Sequence, residues 1–322
     1  MKLNNLRNRD SKELGFGTRV VGDNDRYINR DGSFNVTKRG LPFFKHASIY
    51  HDLITMKVSK FIMLIIVFYA LMNFIFAGIY YAIGTEHLGG IGTDTDMNGF
   101  WEAFFFSCQT FTTVGYGRVN PTGFATNIVA AIESLSGLMA FAIATGLLYG
   151  RFSRAKADLI FSDNAVIAPY KNINALMFRV AHAKKHVLNN VDAQVIIAMN
   201  IEEEHGSVRR FFPLKLELST INFLSLTWTI VHPIDETSPL FGMNADDLSN
   251  SNAEIMLLLK GFDDTFSQDV HKRSSYKHYE IIWGAKYVSL LTDVRRGVTV
   301  IDLSRMNEYN TVELNEVASL AR

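Results

Sequence analysis

The chain has 322 residues, with 32 basic and 32 acidic side chains and a formal net charge of zero, so no global field favours a nucleic-acid partner. Its single cysteine, Cys108, excludes an intrachain disulfide and a cysteine-cluster metal site. Although 48% of the residues are hydrophobic, the mean hydropathy is only +0.08, which indicates a sizeable polar part beside the apolar segments. This length predicts about two domains.

The leading segment, residues 1–42, is polar and charged and lacks the apolar core of a cleavable signal peptide. We expect it to be mostly extended or disordered. In residues 43–57, aromatic and aliphatic groups alternate with His46, His51 and Asp52, which predicts an amphipathic slide-type helix at the inner membrane surface. A juxtamembrane linker is the alternative, because the helical periodicity is weak.

Two long apolar runs predict two membrane spans. The run from Phe61 to Ile83 has no charged residue, and Asn73 is its one strongly polar member. The run from Phe124 to Tyr149 carries only Glu133 as a formal charge, and its small residues allow close helix packing in lipid. Both are long enough to cross a bilayer, whereas a soluble core rarely needs such long apolar runs.

Charges flanking the spans predict their orientation. The segment between the spans contains the acids Glu86, Asp94 and Asp96, and Arg118 is its only lysine or arginine. The cations on the other flanks are Lys45, Lys57, Lys60, Arg151, Arg154 and Lys156. The positive-inside rule therefore places both termini in the cytoplasm of a protein that crosses the cell (inner) membrane more than once.

A short aromatic-rich stretch between the spans begins at Asn98 or Gly99 and runs to about Thr110. It is too short to cross the bilayer and predicts a re-entrant pore helix. The negative end of its dipole would face the pore axis and favour a cation. Pro121 then suits the start of the second span, where its missing N–H costs nothing.

The five residues Thr113-Val114-Gly115-Tyr116-Gly117 predict a potassium selectivity filter. Carbonyls from four such strands can replace the water shell of a potassium ion, so one strand per chain implies a homotetramer. We expect Thr113, Val114, Gly115 and Tyr116 to supply the oxygens, while Gly117 preserves the backbone shape. Val114 and Tyr116 would point away from the axis and wedge the strand against its pore helix. K⁺ is the permeant ligand, and no cofactor is expected.

After Lys156, short β-rich runs separated by turns predict an all-β sandwich of about nine strands. This part contains no GxxxxGK[ST], HExxH or GxSxG motif, and its histidines lack metal-ligand spacing, so nothing favours an enzyme. The predicted strands are VIAPY, ALMFRVAH, AQVIIAMNI, RRFFPLKLEL, FLSLTWTIVHPI, EIMLLLKGF, HYEIIWGA, KYVSLLTD and VTVID.

Over residues 14–305 the chain resembles the inward-rectifier potassium channels, and most of all their prokaryotic (KirBac) branch. The resemblance rests on the filter, the slide-type helix, the β-rich tail and several short motifs. These motifs are Gly15-Phe16-Gly17, residues 29–35 (NRDGSFN), residues 103–107 (AFFFS), residues 232–236 (HPIDE), residues 238–240 (SPL), residues 273–276 (RSSY) and residues 280–284 (EIIWG). The resemblance implies an immunoglobulin-like fold for the tail, with four copies extending the pore into the cytoplasm. An Arg-rich voltage-sensor span is absent from the sequence.

The resemblance also implies gates. Tyr149 falls at the bulky bundle-crossing position of the inner helix, and Phe141 at a second pore-facing position about two turns earlier. A ring of four aromatic side chains can block ions by dewetting a narrow pore. Alternatively, Tyr149 packs between helices or lies in an aromatic belt at the membrane interface. Residues 281–285 match the loop that narrows the family's cytoplasmic pore, and their role in gating is left open.

Acidic positions give mixed indications. Glu133, as an intramembrane acid, is either a pore acid that draws cations into the cavity or a hydrogen-bonding group behind the filter or between helices. Glu280 matches an acid that lines the family's cytoplasmic pore. Phe141, Arg210 and Thr220 stand where strong rectifiers carry acids, which argues against strong rectification. Because Gln109 replaces a pore-helix acid, Arg118 has no obvious partner there in its own chain.

Arg151, Arg154 and Lys156 fall where eukaryotic members of the family bind phosphoinositide. Each such basic residue is worth about 1 kcal/mol near anionic headgroups, which makes the three candidate lipid ligands. Membrane topology alone is the alternative explanation for their placement.

We therefore predict a membrane α-helical two-span potassium pore with a re-entrant pore helix, plus an all-β immunoglobulin-like cytoplasmic domain. The predicted parts are residues 1–42, the slide helix 43–57, the pore domain 58–152, the sandwich 153–306 and a tail 307–322. The predicted function is passive, lipid-sensitive K⁺ permeation of the inward-rectifier type, gated at the inner helices and the cytoplasmic domain. The alternatives are a poorly selective cation channel and, less favoured, a membrane-anchored β-sandwich binding or sensor protein.

Overall fold

The computed structural model describes residues 26–36, 40, 49–91, 98–155, 157–184, 187–203, 206–295 and 298–316. They form two compact units, one within Arg39–Arg154 (the helical unit) and one within Met1–Lys38 and Ala155–Arg322 (the β unit). Among the predicted features, Gly15-Phe16-Gly17, residues 43–48 and Lys156 lie outside the described residues.

The described part of the helical unit contains four α-helices, a 3₁₀ helix (Thr85–His87) and a short pair of strands. The α-helices are α1 (Ile49–Thr55), α2 (Val58–Ile83), α3 (Gly99–Phe111) and α4 (Phe124–Phe152). Only α2 and α4 among the described helices are long and apolar enough to cross a membrane, as the two apolar runs predict. Helix α1 lies within residues 43–57, the segment predicted as a slide helix, and ends two residues before the predicted end.

The residues next to the helix ends explain where α2 ends and where α3 begins. Gly84 follows α2 with a φ of 117°, a conformation that favours glycine, and its N–H donates to the Tyr80 carbonyl at 3.1 Å. Asn98 precedes α3, and its side-chain oxygen accepts from the Phe100 N–H at 3.4 Å. The predicted start of the short helix is therefore confirmed.

The start of α4 differs from the prediction. Pro121 belongs to a two-residue strand, β2 (Asn120–Pro121), which pairs with β1 (Leu88–Gly89). Helix α4 begins only at Phe124, and Thr126 binds the exposed backbone at its start by accepting from the Gly123 N–H at 3.1 Å. The prediction was wrong because the chain first pairs with the segment after α2.

Helix α3 packs between α2 and α4 through apolar and aromatic side chains. The Tyr80 ring meets the Phe106 ring edge-on at 5.1 Å, and the Phe74 ring lies 4.7 Å from that of Phe104. Ala77 and Ala103 are wholly buried in the same cluster. This packing holds the short helix beside both long helices.

The β unit is a sandwich of two five-stranded sheets, so the predicted all-β fold is confirmed. The strands of one sheet are β3 (Leu159–Phe161), β4 (Ala165–Tyr170), β5 (Ile173–His182), β9 (Thr227–Pro233) and β12 (Ile281–Trp283). The strands of the other are β6 (Leu188–Glu203), β7 (Gly206–Leu214), β8 (Thr220–Leu224), β10 (Glu254–Asp263) and β11 (Gln268–Lys277). The first sheet has the order β12-β4-β5-β3 with β9 beside β5, and the second has the order β11-β10-β6-β7 with β8 beside β6. Every pair is antiparallel except β12 with β4.

Alternate residues of the two sheets form one apolar core. Phe178, Ile197 and Ile230 are wholly buried there, as expected for facing sheets whose side chains alternate in and out. The remaining elements are a short helix, α5 (Ala245–Asn250), two 3₁₀ helices (His278–Glu280 and Leu303–Asn307) and two strand pairs. These pairs are β13 (Ala285–Tyr287) with β16 (Tyr309–Thr311) and β14 (Leu291–Arg295) with β15 (Val298–Ile301).

Several strand predictions needed correction. Strands β3 and β16 were not predicted, and the run KYVSLLTD joins the end of β13 to the start of β14. The run FLSLTWTIVHPI covers the last two residues of β8 and all of β9, and these strands enter different sheets on either side of Ser225 and Leu226. Strand β11 was missed, because polar residues occupy both faces of Gln268–Lys277. At its C-terminal end Ser274, Ser275 and Lys277 are buried, so the usual apolar alternation is absent.

Both ends of the described β unit pack onto the sandwich. Residues 26–36 make a small bridge between Ile28 and Phe34, and Tyr27 and Ile28 join a buried cluster with Phe211. At the other end, β16 pairs with β13, and Asn315 exchanges hydrogen bonds with Asn174. The sandwich therefore includes residues beyond position 306, within the segment that we predicted as a tail.

Candidate functional site

The TVGYG segment follows the C-terminal end of α3 with an unusual backbone. Thr113, Gly115 and Gly117 have φ values of 60°, 53° and 83°, whereas Val114 and Tyr116 are not among the residues with positive φ. Alternation of left- and right-handed residues turns successive N–H groups to one side of a strand and the carbonyls to the other. Glycine tolerates the left-handed values at no steric cost, which explains two of the residue types.

Backbone hydrogen bonds tie this segment to α3. The N–H groups of Val114 and Gly115 donate to the Gln109 carbonyl at 2.9 and 3.2 Å, and the Thr113 N–H donates to the Thr110 carbonyl at 3.0 Å. Among the described residues, no donor contacts the carbonyl oxygens of residues 113–116. These four oxygens are therefore available to a cation, whose charge the C-terminal end of α3 also favours.

The side chains of Val114 and Tyr116 do not pack as predicted within one chain. They are 53% and 79% exposed, so neither wedges the strand against its own α3.

Gly137 of α4 allows a close approach to the end of α3. A Cβ at this position would lie 1.9 Å from the Phe111 carbonyl oxygen, far inside van der Waals contact. Glycine is therefore required for α4 to pack this closely against the helix that ends at the filter segment.

Glu133 lies wholly buried where α2, α3 and α4 meet. Its carboxyl group accepts from the Tyr80 hydroxyl at 2.7 Å and is in hydrogen-bond contact with the Ser107 hydroxyl. Asn73 also contacts Ser107, at 3.0 Å. Of the two alternatives for Glu133, these contacts fit the hydrogen-bonding group between helices. They contradict its assignment as a pore acid, because the carboxyl group has no exposed surface.

Arg118, which follows the filter segment, forms an ion pair with Glu102 in the first turn of α3. The Glu102 side chain is wholly buried, and that of Arg118 is half exposed. The expectation that Arg118 lacks a partner in its own chain was wrong. Glu102 also lies near the positive end of the α3 dipole, which favours its charge.

The side chains of both candidate gate residues lie on α4 and are largely exposed in this chain. Phe141 is 73% and Tyr149 74% exposed. Tyr149 therefore does not pack between helices of its own chain, and the alternative that it packs against helices of other chains stays open. Its place in an interfacial aromatic belt stays open.

The candidate lipid ligands differ in their contacts. Arg151 donates to the Leu53 carbonyl of α1 at 3.1 Å, and its guanidinium lies 5.3 Å from the centre of the Phe61 ring. Arg154 is exposed, and Lys156 lies outside the described residues. Arg151 is thus held within the helical unit, whereas Arg154 presents a charge to the surroundings.

Glu280 is buried in the β unit, contrary to its assignment as an acid lining the pore. It forms ion pairs with Arg26 and Arg30, and its carboxylate accepts from the Lys277 N–H at 2.8 Å. Two cations and one N–H group therefore occupy the carboxylate within this unit, so it presents no free negative charge.

Glu254, which sequence reasoning missed, binds the same amino-terminal segment. Its wholly buried carboxylate accepts from the N–H groups of Tyr27 and Ile28 at 3.0 and 3.3 Å, with Arg209 3.6 Å away. Burial lowers the pKa of Arg209 from its ordinary value. An acid in the otherwise apolar run EIMLLL was the one signal that could have found Glu254.

The predicted cytoplasmic loop, residues 281–285, is a junction between two strands. β12 ends at Trp283, Gly284 turns the chain with a φ of 65°, and β13 begins at Ala285. A Cβ on Gly284 would lie 2.9 Å from the Val312 carbonyl oxygen, so space as well as backbone conformation favours glycine.

Comparison with known proteins agrees with this architecture. Residues 68–154 match a family model described as "Ion channel", and residues 159–321 match one described as "Inward rectifier potassium channel C-terminal domain". The two matches define a membrane channel of helical pore and β-rich cytoplasmic parts.

Individual relatives narrow the class. The chain is 36% identical over 287 residues to "Inward rectifier potassium channel Kirbac3.1" of Paramagnetospirillum magnetotacticum, covering 88% of this chain and 95% of the relative. It is 29% identical over 230 residues to "ATP-sensitive inward rectifier potassium channel 8" of Mus musculus and of Homo sapiens, covering 68% of this chain and 54% of each relative. The chain belongs to the inward rectifier potassium channel family, and its relatives of that name are ion channels rather than enzymes.

Proposed function

We propose that this chain is one subunit of a homotetrameric, potassium-selective channel through which K⁺ passes passively. The observation that carries the proposal is the filter backbone, in which φ alternates in sign from Thr113 to Gly117 and the carbonyls of residues 113–116 bind no donor among the described residues. K⁺ ions pass in single file between oxygens that are supplied by Thr113, Val114, Gly115 and Tyr116, and Gly117 keeps the backbone shape. No resident cofactor is required.

Exposed apolar surface supports the fourfold assembly. Besides Val114 and Tyr116, the helical unit has an apolar groove of about 710 Å³ along α2 and α4, lined by residues that include Leu64, Phe68 and Leu138. One chain supplies one filter strand, and closed symmetry then places four strands around an axis. In the proposed tetramer, neighbouring copies cover these surfaces.

We place the principal gate at Tyr149 and a second constriction at Phe141. Both side chains are free to point toward an axis shared by four α4 helices, where aromatic rings exclude water and ions. The glycine-containing junction at residues 281–285 is a further candidate for gating in the cytoplasmic domain.

Anionic lipid is the proposed regulator, with Arg154 and Lys156 as its ligands. Arg151 contributes by holding α1 against α4 through Leu53 and Phe61. With both termini in the cytoplasm, these cations lie at the inner leaflet of the cell (inner) membrane, which carries the negative surface potential.

Weak rectification follows from the residues at the family's acidic positions. Arg210 pairs with Glu203 and Thr220 donates to Asp192, while Phe141 carries no charge. Without negative rings at these positions, polyvalent cations have little to bind inside the pore.

Ion flux into liposomes tests the function. Purified full-length protein is reconstituted into vesicles loaded with high K⁺, and uptake of rubidium and sodium is measured in parallel with barium as blocker. Barium-sensitive rubidium uptake without sodium uptake supports a selective pore. Uptake of both ions favours a poorly selective cation channel, and no uptake in several lipid mixtures favours a closed gate or a membrane-anchored sensor.

A filter variant completes this test. In Gly115→Ala a side chain must adopt a φ near 53°, which costs about 1–2 kcal/mol. No atom of the described residues lies within 4 Å of the added Cβ, and we expect assembly to be kept while selective flux is lost. Normal rubidium flux in the assembled variant would contradict the assignment of residues 113–117 as the selectivity filter.

A further inference from the structure

We propose that Glu133 carries a proton in the folded channel and positions the pore helix α3 by donating a hydrogen bond to Ser107. The proposal rests on the proposed function only for its effect on permeation. It follows from counting protons among four side chains, Asn73, Tyr80, Ser107 and Glu133, all wholly buried where three helices meet.

The assignment of donors and acceptors starts from the Asn73 amide, whose orientation is determined by the Tyr69 carbonyl. Its Nδ2 atom lies 2.7 Å from the Tyr69 carbonyl oxygen, which can only accept, so the NH₂ group must be on that side. The Oδ1 atom then faces the Ser107 hydroxyl at 3.0 Å and can only accept. Ser107 must therefore donate its proton to Asn73.

The proton between Ser107 and Glu133 must then come from Glu133. A serine hydroxyl has one proton, and Ser107 has already used it. The contact between the hydroxyl oxygen and one carboxyl oxygen of Glu133 is a hydrogen bond only if the carboxyl group donates. The other carboxyl oxygen accepts from the Tyr80 hydroxyl at 2.7 Å, so every member of the set is satisfied.

An ionised Glu133 leaves this set unsatisfied. Ser107 would have to turn to the carboxylate, and the oxygens of Asn73 and Ser107 would face each other without a proton. A carboxylate inside the membrane also needs a cation, and the described groups that contact it are Tyr80 from α2 and Ser107 from α3, neither of them positive. Because one chain covers Glu133 completely, a neighbouring subunit cannot supply the cation.

The protonated acid connects α4 to the helix that carries the filter. Ser107 precedes Gln109, whose carbonyl holds the N–H groups of Val114 and Gly115. Loss of the bond from Glu133 therefore frees α3 near the point where it fixes the filter strand. Glu133 is a positioning residue in this sense, since it touches no ion.

Two substitutions separate a donor from an acceptor at position 133. In Glu133→Gln, the amide NH₂ donates to Ser107 and the amide oxygen accepts from Tyr80, the same pattern as the protonated acid. We expect rubidium flux and K⁺/Na⁺ selectivity to stay within about twofold of wild type. Glu133→Ala removes both bonds and should reduce selective flux by about tenfold or more. If Glu133→Gln loses as much as Glu133→Ala, the donor role is wrong.

Infrared spectroscopy detects the proton on the Glu133 carboxyl group directly, whether or not the protein conducts ions. Full-length protein in vesicles, with glutamate ¹³C-labelled at the carboxyl carbon, should show a protonated carboxyl band at neutral pH that shifts with the label. The band should be missing from Glu133→Gln. Its absence from the wild type overturns the proposal even when flux is normal, whereas a band in a protein that takes up sodium as readily as rubidium refutes the proposed selective function alone.

Discussion

Arg118 and Glu102 join the segment that follows the filter to the first turn of the pore helix α3. The guanidinium donates to a carboxylate that has no exposed surface, and it also reaches the Gly90 carbonyl at 3.4 Å. The filter strand is therefore bound to α3 at two places. The Gln109 carbonyl binds it near the carboxyl end of the helix, and the ion pair between Arg118 and Glu102 binds the following residues near the amino end.

We expect Glu102→Gln to lower both stability and K⁺/Na⁺ selectivity. The substitution removes the charge that Arg118 binds, and one partner of a buried pair usually cannot be removed without cost. Because Arg118 is half exposed, solvent screens part of the loss, and we expect about 1–3 kcal/mol in unfolding free energy. Thermal unfolding of solubilised protein and rubidium-against-sodium flux measure the two effects.

Glu86→Gln is the matched control, since Glu86 is an exposed acid between the same two spans. It removes the same charge outside α3 and should leave both measurements near wild type. Equal losses in the two variants would mean that net charge in this loop, rather than the ion pair, determines selectivity.

Gly137→Ala should disturb the filter from behind. The added Cβ would lie 1.9 Å from the Phe111 carbonyl oxygen, so α4 or α3 must move. Overpacking of this kind costs about 1–3 kcal/mol, and here the displaced atoms directly precede the filter segment. We expect lower thermal stability together with a loss of selective rubidium flux.

Gly78→Ala in α2 provides the comparison, because a Cβ added there has no atom of the described chain within 4 Å. Alanine also favours a helix over glycine by about 1 kcal/mol. This variant should keep its flux and stability. Wild-type selectivity in Gly137→Ala would show that the close approach is not needed for permeation.

The parts of this protein that depend on local chemistry could be predicted from its sequence. Apolar runs long enough for a bilayer predict α2 and α4, and the two glycines of TVGYG predict left-handed backbone at positions 115 and 117. Such features need no knowledge of distant residues.

Contacts between distant residues could not be predicted in the same way. Strand β11 was missed because it buries polar residues such as Ser275, whose hydroxyl donates to the Ile28 carbonyl far along the chain. Glu280 likewise resembled a pore acid until its two arginines were placed. Polar residues in a core are recognisable only once the groups that satisfy them are known.

Tyr149→Ala should raise basal flux if the ring closes the pore. Removal of an exposed aromatic side chain widens a fourfold constriction and lets water in, with little cost to the fold because Tyr149 packs against little within the chain. Tyr149→Phe keeps the ring and should keep basal flux low. Rubidium uptake at equal protein amount compares the three proteins, and unchanged uptake in Tyr149→Ala removes this residue from the gate.

His232 should make the stability of the β unit depend on pH. It is buried between the Lys215 carbonyl at 2.6 Å and the Ser238 hydroxyl at 2.8 Å, and burial lowers its pKa from the ordinary value. The folded state therefore keeps the ring neutral while the unfolded chain takes up a proton below about pH 6.5. Stability contributed by the neutral ring is complete above that pH and falls as the pH drops, by at most about 1.4 kcal/mol per unit.

Thermal unfolding of the full-length protein at about pH 8 and about pH 5.5 measures this slope. His232→Gln should start from a lower midpoint, because it disrupts buried contacts, but should lose less on acidification than wild type. His271→Gln, at an exposed position on β11, should keep the wild-type slope. If the midpoint falls equally on acidification in wild type and in His232→Gln, other groups cause the acid sensitivity. A smaller fall in His232→Gln, together with a wild-type fall in His271→Gln, would assign it to His232.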